Sequence, residues 1–187
     1  MKKLAVIVGL ALLMSVPAWA GGIGVGIATW DTEQADSDEG FTIRLGMDVG
    51  ENFDFEVRAS FFDEFAQVAS GALFRLEATP VDLGLAWHFN ENGKAQPYLG
   101  LGGSFVFADA QFEGGLRPFA GGPEVDDEFG YYAVVGLDAA VGERLGFFAE
   151  AMYRSAKLEV TFNDFGSADF QSDFAGPAGA LGLMLTW

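Results

Sequence analysis

The feature that most constrains this chain is a period of two that recurs along nearly all of it. At the carboxy-terminal end Leu181, Leu183, Leu185 and Trp187 alternate with Ala180, Gly182, Met184 and Thr186. Successive side chains of an extended strand point to opposite faces, so such a run has one apolar face and one small or polar face. A helix would instead need apolar residues three and four apart. The chain is therefore expected to fold as strands, each with two unlike sides.

The same pattern builds hairpins. Phe41, Ile43, Leu45, Met47 and Val49 alternate with Thr42, Arg44, Gly46 and Asp48. After Gly50, Glu51 and Asn52, residues Phe53, Phe55, Val57, Ala59 and Phe61 alternate with Asp54, Glu56, Arg58 and Ser60. Two such runs joined by three residues predict a hairpin. A second hairpin sets Val81, Leu83, Leu85, Trp87 and Phe89 before the Asn90 to Lys94 turn, then Pro97, Leu99, Leu101, Phe105 and Phe107. A third runs from Phe129 to Val141, turns at Gly142, Glu143 and Arg144, and returns from Leu145 to Tyr153. Residues 22–30 supply a first strand that pairs with the last. Phe74, Leu76 and Ala78 break phase with Val81, Leu83 and Leu85, which predicts a bulge at Pro80, where the missing N–H donor is tolerated.

The amino-terminal end reads differently. Lys2 and Lys3 precede an apolar run from Leu4 to Met14, then Pro17 and the small-residue site Ala18, Trp19, Ala20. This order predicts a secretory signal peptide over residues 1–20, cut before Gly21. The run of 11 residues is shorter than the roughly 20 that a spanning helix needs. No later apolar stretch is long enough either, although half of the residues are hydrophobic. Any crossing of a bilayer must then be made by strands. With no cysteine in the sequence, neither a disulfide framework nor a lipid-modified cysteine anchor is available. Without Lys2 and Lys3, eight basic residues face 27 acidic ones, a formal charge of −19. Such a chain repels phosphate, so nucleic acid is not an expected partner.

The predicted fold class is all-β: a closed antiparallel eight-stranded up-and-down transmembrane β-barrel over residues 21–187, as one domain. Its strands approach the roughly 9 to 11 residues that cross a bilayer at a tilt, and closure removes unpaired edges. Long connections are expected near 31–40, 63–72, 108–128 and 155–175, and short turns near 50, 92 and 143. With both termini periplasmic, the long loops face outward.

Gln96, Pro97, Tyr98, Leu99, Gly100, Leu101 and Gly102, the segment Phe148 to Arg154, and the terminal Trp187 give the chain a family likeness. It resembles the small outer-membrane β-barrel superfamily, the group containing the membrane domain of outer membrane protein A. The resemblance implies a Gram-negative outer-membrane location, lipid and lipopolysaccharide as surroundings, and a monomer. It also implies that Trp187 is the signal read by the barrel assembly machinery. Outer membrane protein A continues into a peptidoglycan-binding domain, whereas this sequence stops at Trp187, so a cell-wall tether is not an expected role.

The inward charges are Arg44, Asp48, Asp54, Glu56, Arg58, Arg75, Glu77, Asp82, Asp138, Glu150 and Arg154. Eight strands enclose a space only as wide as the side chains that fill it. Lone charges there are costly and opposite charges in contact offset most of that cost. The expectation is an ion-pair plug; a gated ion path is the rival. His88 is the only histidine, near the periplasmic end of the fourth strand. Its same-face neighbours Ala86 and Asn90 supply no nucleophile, so no catalytic role is assigned, although lipid A-editing enzymes share this architecture. The acids Asp31, Glu33, Asp36, Asp38 and Glu39, and Glu124, Asp126, Asp127 and Glu128, read as solvated loop surface. Their spacing does not match an EF-hand, and weak Mg²⁺ or Ca²⁺ bridging to lipopolysaccharide phosphates is the alternative. No metal or cofactor is expected.

Aromatics collect near strand ends, with Phe41, Phe61, Phe105, Phe129, Tyr131 and Tyr153 toward the outside and Phe53, Trp87, Phe89, Phe147 and Trp187 toward the periplasm. These predict two interfacial girdles. The expected role is structural or surface-interactive through the loops. A narrow pore, a lipid-modifying enzyme and a periplasmic lipocalin-like carrier are the alternatives.

Overall fold

The computed structural model describes residues 21–32, 38–69, 72–90, 93–112, 124–125, 128–162 and 168–187. The segment expected to be the signal peptide lies outside these residues. Eleven strands are described: β1 (Gly21–Trp30), β2 (Asp38–Gly50), β3 (Phe53–Ala69), β4 (Ala72–His88), β5 (Ala95–Phe112), β6 (Glu124–Val125), β7 (Glu128–Ala140), β8 (Leu145–Ser155), β9 (Lys157–Phe162), β10 (Ala168–Asp173) and β11 (Gly176–Thr186).

Eight of them close into an antiparallel barrel in the order β1-β11-β8-β7-β5-β4-β3-β2. The seam is made by β1 against β11, with Ile23 opposite Leu185 and Ile27 opposite Leu181. Alternation does what the sequence requires. Leu83, Leu85, Leu101, Val135, Leu181, Leu183 and Phe129 lie exposed on the outer wall, and Arg58, Asp82, Tyr98, Tyr132, Glu150 and Arg154 are buried inside. The outward side chains of β2 and β3 also pack sideways, where Leu45, Val57, Ala59 and Phe61 form a cluster with Ile43 and Val81. Phe41 stacks on Phe61 at 4.4 Å, and Trp87 meets Phe89 at 4.6 Å at the opposite rim.

The short turns, Gly21 and Trp187 share one end of the barrel. At that seam Trp187 donates its backbone N–H to Gly21 O at 3.2 Å. The other end departs from expectation. The stretch near 63–72 is no loop, because β3 and β4 continue as a ladder to Ala69 opposite Ala72. β5 likewise runs on to Phe112. In the stretches expected to be loops, β6, β9 and β10 form a separate three-stranded sheet. Backbone groups that leave the barrel still need partners, and a hairpin that simply continues supplies them.

The bulge is also elsewhere. Along β4 and β5 the register passes Pro80 without a shift, from Asp82↔Ser104 through Pro80↔Val106 to Ala78↔Ala108. The extra residue sits on β3, between Phe62↔Ala78 and Phe65↔Leu76, and the ladder skips Ser60 and Phe61 opposite Pro80 and Thr79. Proline cannot donate to a neighbour, so the partner strand gives up pairing there while β4 keeps its phase.

That correction moves two residues. With β4 in one phase, Arg75 and Glu77 carry the register parity of Val81 and Leu83 rather than of Asp82. Their register therefore differs from the inward position expected for them. The side chain of Arg75 lies outside the described residues.

Candidate functional site: the charged lumen

Seven ionisable side chains from five strands meet inside the barrel: Arg44 on β2, Glu56 and Arg58 on β3, Asp82 on β4, Asp138 on β7, and Glu150 and Arg154 on β8. Each arrives inside because it alternates with an outward apolar residue. Three arginines face four carboxylates, so the cluster is close to neutral.

Arg44 is the most connected. Its Nη1 donates to Glu150 Oε1 at 2.9 Å, to Asp138 Oδ1 at 3.1 Å and to the Tyr98 hydroxyl at 2.8 Å. Its Nη2 donates to Asp138 Oδ2, giving a two-pronged contact with that carboxylate, and its Nε lies 3.3 Å from Glu56 Oε1. Arg58 Nη2 reaches Glu150 Oε1 at 2.8 Å and Glu56 Oε2 at 3.2 Å. Arg154 holds Asp82 through Nε at 3.3 Å and Nη2 at 2.6 Å. Glu150 Oε1 thus accepts from Arg44, Arg58 and the Tyr98 hydroxyl at once. Charge-assisted bonds of this kind are short and strong, and the fork of a guanidinium suits them.

Aromatic faces complete the enclosure. The Arg44 guanidinium lies 5.2 Å from the Tyr98 ring centre and 5.3 Å from Phe148. Arg58 lies 5.6 Å from Tyr132, and Arg154 lies 4.8 Å from Trp30. These contacts stabilise the cations further where water is excluded. Large rings fit a narrow tube only if facing positions are bare. A Cβ on Gly136 would strike the Tyr98 ring, one on Gly84 the Tyr132 hydroxyl, and one on Gly182 the Phe148 ring. This explains the inward glycines at those positions.

Toward the loop end the lumen turns apolar. Trp30, Phe62 and Phe174 gather with Ala28, Ala78, Val106, Ala108 and Ala156. Trp30 lies 5.7 Å from Phe62 and 5.9 Å from Phe174, ring centre to ring centre. From the sequence, this tier and the place of Tyr98 and Tyr132 in the charge network went unrecognised. Their inward parity was the available signal.

Toward the turn end, a cavity of about 300 Å³ opens below Arg44 and Asp138. Asp48 and Asp54 line it, as do His88, Gly24, Gly46 and Met184. His88 Nε2 lies 3.1 Å from Asp54 Oδ2, and its ring meets Tyr98 at 5.1 Å. Of the acids expected at the loops, Glu33, Asp36, Asp126 and Asp127 lie outside the described residues.

A closed eight-stranded barrel with apolar residues outside and paired charges inside is an outer-membrane-type transmembrane barrel. It reverses the arrangement of a soluble carrier barrel, which buries its apolar face. The profile of the family described as outer membrane protein beta-barrel domain matches residues 6–180, and the chain belongs to that family. No curated protein matches the sequence.

Among solved structures, the chain is similar to the outer membrane protein OprG from Pseudomonas aeruginosa. Identity is 18%, the match covers 91% of this chain and 96% of that one, and the TM-score is 0.76. The E. coli outer membrane protein W is 18% identical over 91% of this chain and 98% of its own, with a TM-score of 0.60. The outer membrane protein AlkL is 13% identical over 92% and 95%, with a TM-score of 0.59. At these identities the likeness is one of fold; membership of the outer membrane protein beta-barrel family implies a Gram-negative outer-membrane location.

Proposed function

We propose that this chain is a non-conducting outer-membrane barrel with a structural or surface-interaction role, exposing its acidic loop segments outside the cell. The single observation behind this reading is that ion pairs cross the whole lumen. Arg44 on β2 grips Asp138 on β7, and Arg58 on β3 grips Glu150 on β8. In the order of the barrel each pair joins strands four places apart, on opposite walls. The apolar tier of Trp30, Phe62 and Phe174 lies above them. A hydrated ion crossing this barrel would have to break charge pairs and then pass a dry aromatic layer, and both steps are costly.

Lipid and lipopolysaccharide are its surroundings in this reading, residues 1–20 its export signal, and Trp187 the mark recognised during assembly. The barrel acts as a monomer. The reading is non-enzymatic: His88 has Asp54 beside it, and no described hydrogen bond joins it to a serine hydroxyl.

Planar bilayer recordings of the refolded protein test the proposal. The expected record is flat, without reproducible single-channel steps. Stable, large conductance steps would overturn it in favour of the pore.

A further inference from the structure

Residues 21–187 hold three methionines, Met47, Met152 and Met184, and the barrel puts each in a different surrounding. Met47 stands opposite Phe55 on the outward parity of β2 and β3, on the lipid side of the wall. Met152 is 7% exposed, packed with Tyr98, Tyr132 and Val134, and its sulfur lies 3.6 Å from Arg154 Nη2. Met184 is only partly buried and lines the turn-end cavity. It is therefore the one thioether of the three that faces a water-accessible space.

Its position in the barrel is as particular as its exposure. Met184 stands opposite Gly24 of β1 across the seam that closes the ring, and opposite Gly146 of β8 on its other side. Both neighbours are bare, so the space between them is filled by side chains from elsewhere. A Cβ on Gly24 would strike the Phe148 ring, and one on Gly146 would come within 3.1 Å of Met184 Cγ. Met184 also packs against the buried cluster that contains Phe148. The lumen side of the seam at this level is thus held by one ring and one thioether.

We propose that Met184 is an oxidation-sensitive position: hydrogen peroxide that enters the cavity converts its thioether to the sulfoxide and loosens the seam between β1 and β11. In that step the sulfur supplies an electron pair and the peroxide O–O bond breaks. One oxygen joins the sulfur, and the other leaves as water. The product is a polar group where an apolar one had filled the gap between two glycines, which weakens the packing it replaces. Met152 is shielded by the filled lumen and Met47 by the surrounding hydrocarbon, so neither is modified while the barrel stays closed.

The test treats the refolded barrel in detergent micelles with hydrogen peroxide and follows the sulfoxide content of each methionine-containing peptide by mass spectrometry. Met184 is expected to be oxidised first, with Met47 and Met152 still reduced, whereas the urea-unfolded chain oxidises at all three positions alike. As the Met184 sulfoxide accumulates, the temperature at which the folded gel band disappears falls. Met184→Leu fills the same space without a sulfur, so its band is unmoved by peroxide. Oxidation of Met47 or Met152 as fast as Met184 in the folded protein would overturn the proposal. So would complete Met184 oxidation with heat resistance unchanged, or an equal loss of heat resistance in peroxide-treated Met184→Leu. A conducting barrel would end the plug reading and leave this one standing, so the two fail separately.

Discussion

Arg58 and Glu150 are 92 residues apart in sequence, yet Arg58 Nη2 donates to Glu150 Oε1 at 2.8 Å across the barrel. Both side chains are almost wholly buried. Each keeps another partner, Arg44 for Glu150 and Glu56 for Arg58, so removing one breaks a buried pair without orphaning the other charge, at a cost of about 3 kcal/mol, the lower end for such breaks. Arg58→Ala and Glu150→Ala are each expected to lose about that much stability, measured by urea unfolding in lipid vesicles. Because the two share a network, the double variant is expected to lose less than the sum by more than about 1 kcal/mol. Strict additivity would mean that the contact carries no energy.

Gly136 and Tyr98 test the packing of the tube. The three atoms nearest a Cβ at position 136 all belong to the Tyr98 side chain. Gly136→Ala is therefore expected to destabilise the barrel by about 1–3 kcal/mol, the usual cost of overpacking. In a Tyr98→Leu background the same substitution should cost almost nothing. An equal penalty in both backgrounds would place the strain in the backbone instead.

The outward face can be read with single cysteines, because the natural sequence has none. Leu83→Cys, Val135→Cys and Leu183→Cys are expected to resist a water-borne maleimide in intact vesicles, since their side chains point away from the lumen toward lipid. Asp48→Cys, at the cavity mouth, should react. The reverse pattern would turn the barrel inside out.

Trp30 is completely buried between Phe62, Phe174 and Arg154. Trp30→Ala is expected to cost about 3–5 kcal/mol, as large-to-small changes in a filled core do. Trp30→Phe, which keeps an aromatic face toward Arg154, should cost clearly less. The temperature at which the folded gel band disappears reports both. A Trp30→Ala variant as heat-resistant as the natural protein would show that this tier does not hold the loop end closed.

The charges inside the barrel were legible one by one. Arg44, Glu56, Arg58, Asp82, Asp138, Glu150 and Arg154 each interrupt an apolar alternation, which is enough to assign a face. Which acid meets which base was not legible. Arg44 touches Glu56 on the next strand, yet also Asp138 on the opposite wall. That second contact depends on the stagger and tilt with which eight strands close, a property of no single hairpin. Around Pro80 the parity of β4 taken alone misplaces the irregularity. The chain has two neighbours there, and the irregularity was absorbed by β3, between Phe62 and Phe65.

What the amino-acid order determined by itself is the two-sidedness of each strand and the pairing of neighbours: alternation is local, and short turns leave adjacent strands no other partner. The tertiary structure alone decided which charges neutralise each other, that Trp30 and Phe62 seal one end, and that a cavity flanked by acids remains at the other. Those outcomes follow from bringing opposite walls within side-chain reach, and only the closed ring sets that distance.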